Sequence, residues 1–334
     1  MEFNQIIKEL KNKIYKPIYI LMGKEAYYID IVSDFIADNV LEEHERDFNQ
    51  TIFYGKDCDI TTVIHTCQRY PMMSNYQVVI IKEAQNLKKF EDQLIKYLEN
   101  PLNTTILVVC FKYDIIKKKT LTDIADKKGV LFNSKEISEG KLPAWIEQYI
   151  SERGYSIDSK SSFVLAQNLG NDLSKIANEI DKLFIAIGSG TKKITADDIE
   201  KNIGISKDYN QYELQNVLGK KEIVKITKMV NYFSNNEKTY PFIIINMALF
   251  QFFEKILRFH SLKDRSQNSI ASTLMVPPFI ASSYIEFARF YPLQKTVKII
   301  SIIREYDLKS KGVDNASASD GQLLKEIIFK ILYI

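Results

Sequence analysis

Residues 77–111 read QVVIIKEAQNLKKFEDQLIKYLENPLNTTILVVCF, and this stretch decides the fold class of the chain. Residues 77–82 and 104–111 are nearly continuous apolar runs, and residues 87–98 between them carry apolar side chains at helical spacing. Strands that are apolar on both faces and separated by a helix are typical of a parallel sheet with a helical layer on each side. The stretch therefore predicts a strand–helix–strand unit of an α/β domain.

The same alternation of strand and helix continues over the first 140 residues, after an amphipathic opening helix. Asp59 is a suitable N-cap for one helix, and Pro71 is expected to end it, because proline disrupts a helix interior. The other predicted strands are residues 17–23 (PIYILMG), 51–55 and 129–133, and the other predicted helices are residues 27–40, 60–70 and 120–127. We therefore predict a parallel α/β domain over residues 1–140.

The strand signal disappears after about Leu142. Pro143 stands where a helix begins, and Asp172 and Thr195 are suitable caps for two more helices. Beyond residue 208 the sequence predicts helices at residues 213–218, 220–233, 241–259, 278–291, 293–308 and 321–333. The prediction is a small helical lid domain over residues 141–209 and a helical bundle over residues 210–334.

The composition indicates a globular protein of several domains. The chain has 334 residues, of which 46% are hydrophobic and 26% are charged. No apolar run approaches the roughly 18 residues of a membrane span. The three cysteines are dispersed, without metal-binding spacing. We therefore expect a cytoplasmic protein with reduced thiols and no membrane association.

Positive charge is concentrated in the last third of the chain. Residues 210–334 carry 17 Lys and Arg against 11 Asp and Glu, whereas the whole chain has a formal net charge of +3. This excess is compatible with attraction to nucleic acid or to an acidic partner, and also with a solvated helical surface. Its small size favours the solvated surface.

The chemistry of a nucleotide-hydrolysing enzyme is missing where it is expected. A parallel α/β domain followed by a helical lid suggests an AAA+-type protein, whose first strand leads into GxxxxGK[ST]. Here that junction reads LMGKEAY (residues 21–27), in which Glu25 would place a negative charge against a phosphate, and Lys82 replaces a metal-binding aspartate. No HExxH, GxSxG or GxGxxG motif is present. We predict no catalytic residue, no cofactor and no metal site, and therefore no enzymatic activity of this chain by itself.

Four stretches of the sequence, taken in order and spacing, carry a resemblance to a known family. They are residues 17–25 (PIYILMGKE), residues 70–81 (YPMMSNYQVVII), residues 142–146 (LPAWI) and the apolar and capping positions within residues 165–199. Along its whole length the chain resembles the delta subunit of the bacterial DNA polymerase III clamp loader.

The resemblance implies a multidomain α/β plus all-α protein: a degenerate AAA+-like parallel-sheet domain that does not bind ATP, a helical lid and a C-terminal helical collar domain. In that family the first domain binds the beta sliding clamp through a short exposed hydrophobic wedge. The third domain joins the ATPase and delta-prime subunits in a collar, and the complex opens the clamp and loads it on primed DNA. The DNA polymerase activity of the holoenzyme is in another subunit. The resemblance therefore implies a non-catalytic replication protein.

The resemblance assigns the wedge to Pro71, Met72 and Met73. The residues themselves are compatible with this role, because side chains after Pro71 lie on a connecting segment and methionine adapts to a shallow pocket. The alternative is that one or both methionines pack under the strand at residues 77–82. The family often has a Leu–Phe pair here, so the methionines offer less aromatic anchoring area.

Four basic residues form a second candidate surface. Lys255, Arg258, Lys263 and Arg265 cluster around one end of the predicted helix at residues 241–259. They are candidates for contacts with DNA phosphates, and the alternative is that they are simply solvated. Two other functions stay open from the sequence: a divergent AAA+ ATPase and a helical DNA-binding module.

Overall fold

The computed structural model describes residues 1–188, 192–206, 209–315 and 317–334, and the chain forms two compact units. The first is Met1–Ile137 and the second is Ser138–Ile334. The boundary between them lies close to the predicted end of the α/β domain at residue 140. The further division at residue 209 stays a prediction.

A parallel sheet forms the centre of the first unit. Its strands are β1 (Ile18–Gly23), β2 (Gln50–Tyr54), β3 (Gln77–Lys82), β4 (Thr105–Lys112) and β5 (Val130–Ser134). They form one five-stranded sheet in the order β2-β3-β4-β1-β5. The helices of this unit are α1 (Phe3–Lys11), α2 (Ala26–Asn39), α3 (Glu43–Asn49), α4 (Ile60–Cys67), α5 (Glu91–Glu99) and α6 (Lys119–Lys128), with a 3-10 turn at Ala84–Asn86. Each predicted strand is present, with bounds that agree to within one residue.

Burial on both faces of the sheet explains its apolar runs. In β1, Ile18 and Ile20 face one hydrophobic core, whereas Tyr19 and Leu21 face another. Helices α4, α5 and α6 contribute to the first core, and α1 and α2 contribute to the second. Because successive side chains of a strand alternate between faces, each central strand has to be apolar throughout.

Two helix boundaries of the first unit differ from the predictions. Helix α4 ends at Cys67, so the expectation that Pro71 ends it is wrong. The helix predicted at residues 87–98 begins only at Glu91. Lys89 has a φ of 51°, a left-handed conformation that a right-handed helix excludes, and the helix therefore starts after it.

Helix α3 connects α2 to β2 and is absent from the predictions. Its sequence, EHERDFN, contains Phe48 as its single large apolar residue, so no helical periodicity marks it. The Glu45 carboxylate stabilises its first turn by accepting a hydrogen bond from the Glu42 amide at 2.9 Å. The helix ends at Asn49, immediately before β2.

The second unit consists mainly of helices. They are α7 (Leu142–Ser151), α8 (Ser159–Leu169), α9 (Leu173–Ile187), α10 (Ala196–Ile203), α11 (Gln211–Gly219), α12 (Ile223–Asn235), α13 (Phe242–His260), α14 (Gln267–Leu274), α15 (Pro278–Ala281), α16 (Ser283–Phe290), α17 (Leu293–Ser310) and α18 (Asp320–Tyr333), preceded by a 3-10 turn at Glu139–Lys141. Two short strands, β6 (Ser156–Ile157) and β7 (Lys193–Ile194), pair in parallel. The prediction of no strand after Leu142 is therefore wrong at these two places, because two-residue strands are too short to produce a periodic pattern.

The predicted helix caps of the second unit are confirmed. The Asp172 carboxylate accepts a hydrogen bond from the Lys175 amide at 3.0 Å, and Thr195 and Asp198 cap α10 reciprocally. The helix predicted at residues 278–291 is two helices that meet at Ser282. Helix α14 was not predicted.

The largest hydrophobic core of the second unit lies among the C-terminal helices. Phe252 and Phe253 of α13 are fully buried in it, next to residues of α17 and α18. Phe163 of α8 packs in the same core, with its ring centroid 5.0 Å from that of Tyr212. Within the described ranges, no helix has both the length and the apolar sequence that crossing a membrane requires.

Candidate functional site

The segment after α4 presents two methionines to solvent. Met72 retains 62% of its accessible surface and Met73 is fully exposed. The alternative that one or both pack under β3 is therefore wrong. Pro71 is half-buried, and Tyr70 before it is exposed. An apolar pair on a surface segment needs a reason other than core packing.

The buried side chain of Asn49 holds the backbone of this segment. The Met72 amide donates to Asn49 Oδ1 at 2.6 Å, and Asn49 Nδ2 donates to the Met72 carbonyl oxygen at 2.9 Å. Asn49 Nδ2 also donates to the Glu45 carbonyl oxygen, one turn earlier in α3, at 3.1 Å. The carboxamide thus satisfies both backbone groups of Met72 while its own helix fixes it.

Buried polar side chains of the sheet anchor the helix that leads into the segment. The Gln77 side chain donates to the Thr66 carbonyl oxygen at 2.8 Å, and the Thr105 hydroxyl donates to the Cys67 carbonyl oxygen at 2.9 Å. These carbonyls belong to the last turn of α4, beyond its regular hydrogen bonds, and the Thr66 carbonyl oxygen also accepts from the Arg69 amide at 3.1 Å. The end of α4 is therefore tied to β3 and β4, and the methionines project from a fixed base.

The junction between β1 and α2 is occupied by groups of the chain itself. Glu25 is the N-cap of α2, and its carboxylate accepts a hydrogen bond from the Tyr27 amide at 3.0 Å. The amides of Gly23 and Glu25 donate to the carbonyl oxygens of Asp114, at 3.0 Å, and Ser134, at 3.4 Å. In phosphate-binding proteins the amides at such a helix N-terminus bind the phosphate. Here a carboxylate takes that place.

Two ion pairs lie next to this junction, at the carboxyl ends of β3 and β4. Lys82 Nζ lies 3.0 Å from a carboxylate oxygen of Asp34, and Lys112 Nζ lies 2.6 Å from one of Asp30. Partial burial opposes the charge of Lys82, but the hydrogen bond and charge of Asp34 outweigh it and raise the pKa of the lysine. The lysines that end β3 and β4 therefore bind the helix after β1.

The basic residues near the end of α13 lie in different environments. Lys255 is partly buried, and this burial lowers its pKa, so its charge is less available to a phosphate in solvent than that of an exposed lysine. Arg258 pairs with Glu254, one turn earlier on the same helix. An arginine engaged in this way has less of its charge available to a polyanion.

Lys263 and Arg265 follow α13 on an exposed connection. The guanidinium carbon of Arg265 lies over the ring of Phe259, 5.2 Å from its centroid. The structure thus gathers the four predicted residues at one helix end but leaves Lys263 and Arg265 more accessible than Lys255. Contact of any of them with DNA stays a prediction.

Two of the three cysteines are buried in the first unit. Burial raises the pKa of Cys67 to about 12 and that of Cys110 to about 11, so both are thiols at neutral pH. Over the ranges that the structure describes, no group of three or more His, Cys, Asp and Glu side chains is arranged to hold a metal ion.

Sequence reasoning missed Asn49, which belongs to the candidate site, and the exposed Phe48 that precedes it in the chain. Asn49 contacts Met72 across 23 residues of chain, and no local pattern marks an asparagine that binds a distant backbone. Phe48 stands beside Asn49 on α3 and is largely exposed. Its position as a lone aromatic residue in a polar helix was the available signal.

Comparisons with known proteins identify relatives along the whole chain. The family model described as DNA polymerase III, delta subunit, matches residues 19–135. The DNA polymerase III subunit delta of Bacillus subtilis is 26% identical over 335 residues, covering 96% of this chain and 94% of its own. The solved structure of the Bacillus subtilis DNA clamp loader delta protein (YqeN) superposes with a TM-score of 0.60 at 23% identity, with both chains fully covered. The resemblance stated from the sequence and the α/β plus all-α fold class are confirmed.

Proposed function

We infer that this chain is a delta subunit of the bacterial DNA polymerase III clamp loader, and we propose that it binds the beta sliding clamp and opens it. The observation that carries the proposal is the exposed Met72–Met73 pair on a backbone fixed by Asn49, in a chain similar to delta subunits from end to end. The protein acts mechanically, without chemistry of its own, during loading of the clamp on primed DNA.

Pro71, Met72 and Met73 are the proposed wedge. Burying one methionine side chain contributes about 1.5–3 kcal/mol, so two methionines entering an apolar pocket supply much of a specific contact. The thioether chain has three rotatable bonds and adapts to a shallow pocket.

Opening of the clamp follows from differential affinity. A ligand shifts a conformational equilibrium only by as much as it binds one state more tightly than the other. The wedge therefore has to bind the open clamp more tightly than the closed one. ATP on the neighbouring subunits controls access of the clamp to the wedge in this proposal.

The β1–α2 junction supports a subunit without ATPase activity. The Glu25 carboxylate occupies the helix N-terminus that would bind a phosphate, and Lys82 pairs with Asp34 where a metal-binding aspartate is expected. A nucleoside triphosphate bound at this helix N-terminus would bring its negative phosphates close to the Glu25 carboxylate. The two negative charges would repel each other in a partly buried site. These contacts disfavour the divergent ATPase, and the polymerase activity belongs to another subunit.

The C-terminal helices are proposed to join the ATPase and delta-prime subunits in a collar. Ile243, Met247 and Phe250 lie on one face of α13 at helical spacing and are exposed, whereas the opposite face is buried in the core. Such a stripe suits contact with a neighbouring helix. We assign the collar to residues 210–334, the lid to residues 141–209, and the whole complex to the cytoplasm without a membrane partner.

Contact with DNA is assigned to the assembled complex. Lys263 and Arg265 are the accessible candidates for phosphate contacts from this chain. Binding through so few charges is weak and falls with salt, which disfavours an independent DNA-binding module.

The test is surface plasmon resonance of the purified chain on immobilised cognate clamp, without ATP. The variant Met72→Ala/Met73→Ala is expected to lose about a hundredfold or more in affinity, the loss that corresponds to two buried methionine side chains. The control is Met247→Ala/Met275→Ala, which removes two other exposed methionines. Circular dichroism checks that each variant is folded.

Three outcomes separate the possibilities. Loss in the wedge variant alone supports the proposal. Equal binding by all forms keeps the clamp as partner and moves the contact elsewhere. A wild-type chain that does not bind the clamp contradicts the proposed function.

A further inference from the structure

We propose that Asn49 is a positioning residue of the clamp contact: its buried carboxamide holds the Met72 backbone in the conformation that presents both methionines. The inference rests on the proposed function, because it concerns how the same surface is prepared for its partner. Asn49 itself is 2% exposed and does not meet a partner directly.

The geometry resembles one rung of a β-ladder made by a side chain. Oδ1 and Nδ2 of Asn49 bind the amide and the carbonyl oxygen of the same residue, Met72, at 2.6 and 2.9 Å. The third hydrogen bond, to the Glu45 carbonyl oxygen, orients the amide so that its nitrogen faces the Met72 carbonyl. Both rotatable backbone angles of Met72 are thereby constrained from outside its own loop.

The residues next to Met72 show why such a constraint is needed. Met73 has a φ of 55°, a left-handed backbone conformation that residues other than glycine, asparagine and aspartate rarely adopt. A fully exposed side chain makes few contacts that would hold this conformation. The fixed position of Met72 limits the alternatives open to Met73.

The Glu45 side chain of α3 belongs to the surroundings of the segment on the other side of Met73. Its carboxylate accepts a hydrogen bond from the Glu42 amide at 2.9 Å. That bond, with a smaller influence of the Ser74 side chain, lowers the pKa of Glu45. Helix α3 thus holds the backbone of Met72 through Asn49 and leaves Met73 to project into solvent.

The chemistry of the contact is specific to a carboxamide. Asparagine offers a donor and an acceptor on one planar group, which match the carbonyl and the amide of a single residue. Aspartate has the same shape but only acceptors when ionised, so it would face the Met72 carbonyl with a like partial charge. Alanine would leave the partly buried amide and carbonyl of Met72 without this partner.

Pre-organisation is the expected benefit. A loop that samples many conformations has to be ordered when it binds, and the cost appears as lost affinity. We expect Asn49→Ala to weaken clamp binding about tenfold or more, a loss on the scale of two backbone hydrogen bonds. The control is Asn39→Ala: Asn39 also ends a helix and donates to the carbonyl oxygen four residues earlier, at 2.9 Å, but its side chain is exposed and this hydrogen bond lies within α2.

The experiment combines clamp binding with hydrogen exchange on the full chain. Asn49→Ala and Asn39→Ala are measured in the wild-type background and in a Met73→Ala background. If Asn49 acts through the wedge, its effect on affinity is smaller in the Met73→Ala background, because there is less side chain to present. The Met72 amide should also exchange faster in Asn49→Ala, whereas amides of β3 keep their protection.

Each result either supports or overturns the inference. Affinity of Asn49→Ala equal to that of wild type, or an equal loss in both backgrounds, overturns it while the proposed function stands. If Asn49→Ala does not fold, the near-isosteric Asn49→Asp carries the same test, with the same expected loss. A wild-type chain that does not bind the clamp removes the proposed function, and this inference falls with it.

Discussion

Gly23 ends β1 in a conformation that other residues rarely adopt. Its φ is 130°, and a Cβ added there would lie 2.1 Å from the carbonyl oxygen of Ser134 in the neighbouring strand. Its own carbonyl accepts a hydrogen bond from the Tyr113 amide at 2.8 Å, so the backbone cannot move away freely. The glycine therefore serves strand packing, although its position in the sequence suggests a phosphate-binding loop.

Replacing Gly23 should destabilise the first unit strongly. We expect Gly23→Ala to lower the free energy of unfolding by about 3 kcal/mol or more, because the strained φ and the clash with backbone add. Gly154→Ala is the control, since its φ is 79° but no atom lies within 4 Å of the added Cβ. That variant should lose only about 1 kcal/mol. Urea unfolding followed by circular dichroism measures both, and equal losses would contradict the role given to Ser134.

The residues of the candidate site were predictable to different degrees. Pro71, Met72 and Met73 could be located because a family resemblance points to them, but their exposure could not be derived, since an apolar pair before a buried strand fits core packing equally well. Asn49 could not be found at all, because its partner is 23 residues away and the contact is to backbone, which has no sequence signal. The four basic residues are predicted from their clustering in the sequence, whereas the partial burial of Lys255 depends on packing that only the fold shows.

At the scale of elements, helix α8 depends on a side chain at its start. The Asp158 carboxylate accepts hydrogen bonds from the Ser161 amide at 2.9 Å and from the Ser161 hydroxyl at 2.8 Å. Partial burial alone would raise the pKa of Asp158, but these hydrogen bonds outweigh it and lower the pKa. The Ser162 hydroxyl donates to the Glu147 carboxylate of α7 at 2.7 Å, so the capped end of α8 is also hydrogen-bonded to α7.

The contribution of this cap should depend on pH. The pKa of Asp158 is lower in the folded than in the unfolded chain, so its stabilisation is complete above about pH 4 and is lost as the pH falls through the lowered value. We expect Asp158→Ala to cost about 1 kcal/mol near neutral pH and progressively less in acid. Urea unfolding can be followed by the fluorescence of Trp145, the single tryptophan, which lies on α7. A loss of unfolding free energy that does not change with pH would contradict the ionic cap. The control is Asp123→Ala, on the exposed face of α6.

Elements were predictable where periodicity or capping chemistry extends over several residues. The central strands and the helices opened by Asp172 and Thr195 have such signals, and they were placed correctly. Helix α3 has a polar sequence, and the strands β6 and β7 have two residues each, so neither carries a period. The start of α5 could not be predicted, because Lys89 before it has a left-handed backbone conformation. No glycine or proline in the sequence marks this interruption of the helix pattern.

For the whole molecule, the hydrophobic cores of buried side chains follow the division into two compact units. In the described part of the chain, two hydrophobic clusters draw on residues of the first unit and the largest on residues of the second. Phe163, from the predicted lid, belongs to the cluster of the C-terminal helices. The sequence predicts the boundary near residue 140 because the alternation of strands and helices ends there. The predicted boundary at residue 209 separates helices from helices, without such a change of pattern, and it stays a prediction.

The division predicts that the first unit is sufficient for the clamp contact. A fragment of residues 1–137 contains both faces of the sheet, α3 and the wedge, so it should unfold cooperatively and bind the clamp with the affinity of the full chain. Residues 138–334 should not bind. Surface plasmon resonance with both fragments measures this, and a folded 1–137 fragment without clamp affinity would show that the second unit takes part in the contact.

The full exposure of Met73 has a chemical consequence beyond docking. A thioether open to solvent is accessible to peroxide, and its sulfoxide is polar, so an oxidised wedge should lose affinity for an apolar pocket. Mild peroxide treatment is expected to weaken clamp binding toward the level of Met72→Ala/Met73→Ala, and methionine sulfoxide reductase should restore it. The variant Met72→Leu/Met73→Leu keeps the apolar surface without the sulfur, and it should bind the clamp equally well before and after treatment. A clamp contact built on methionine thus responds to oxidants, where one built on leucine and phenylalanine would not.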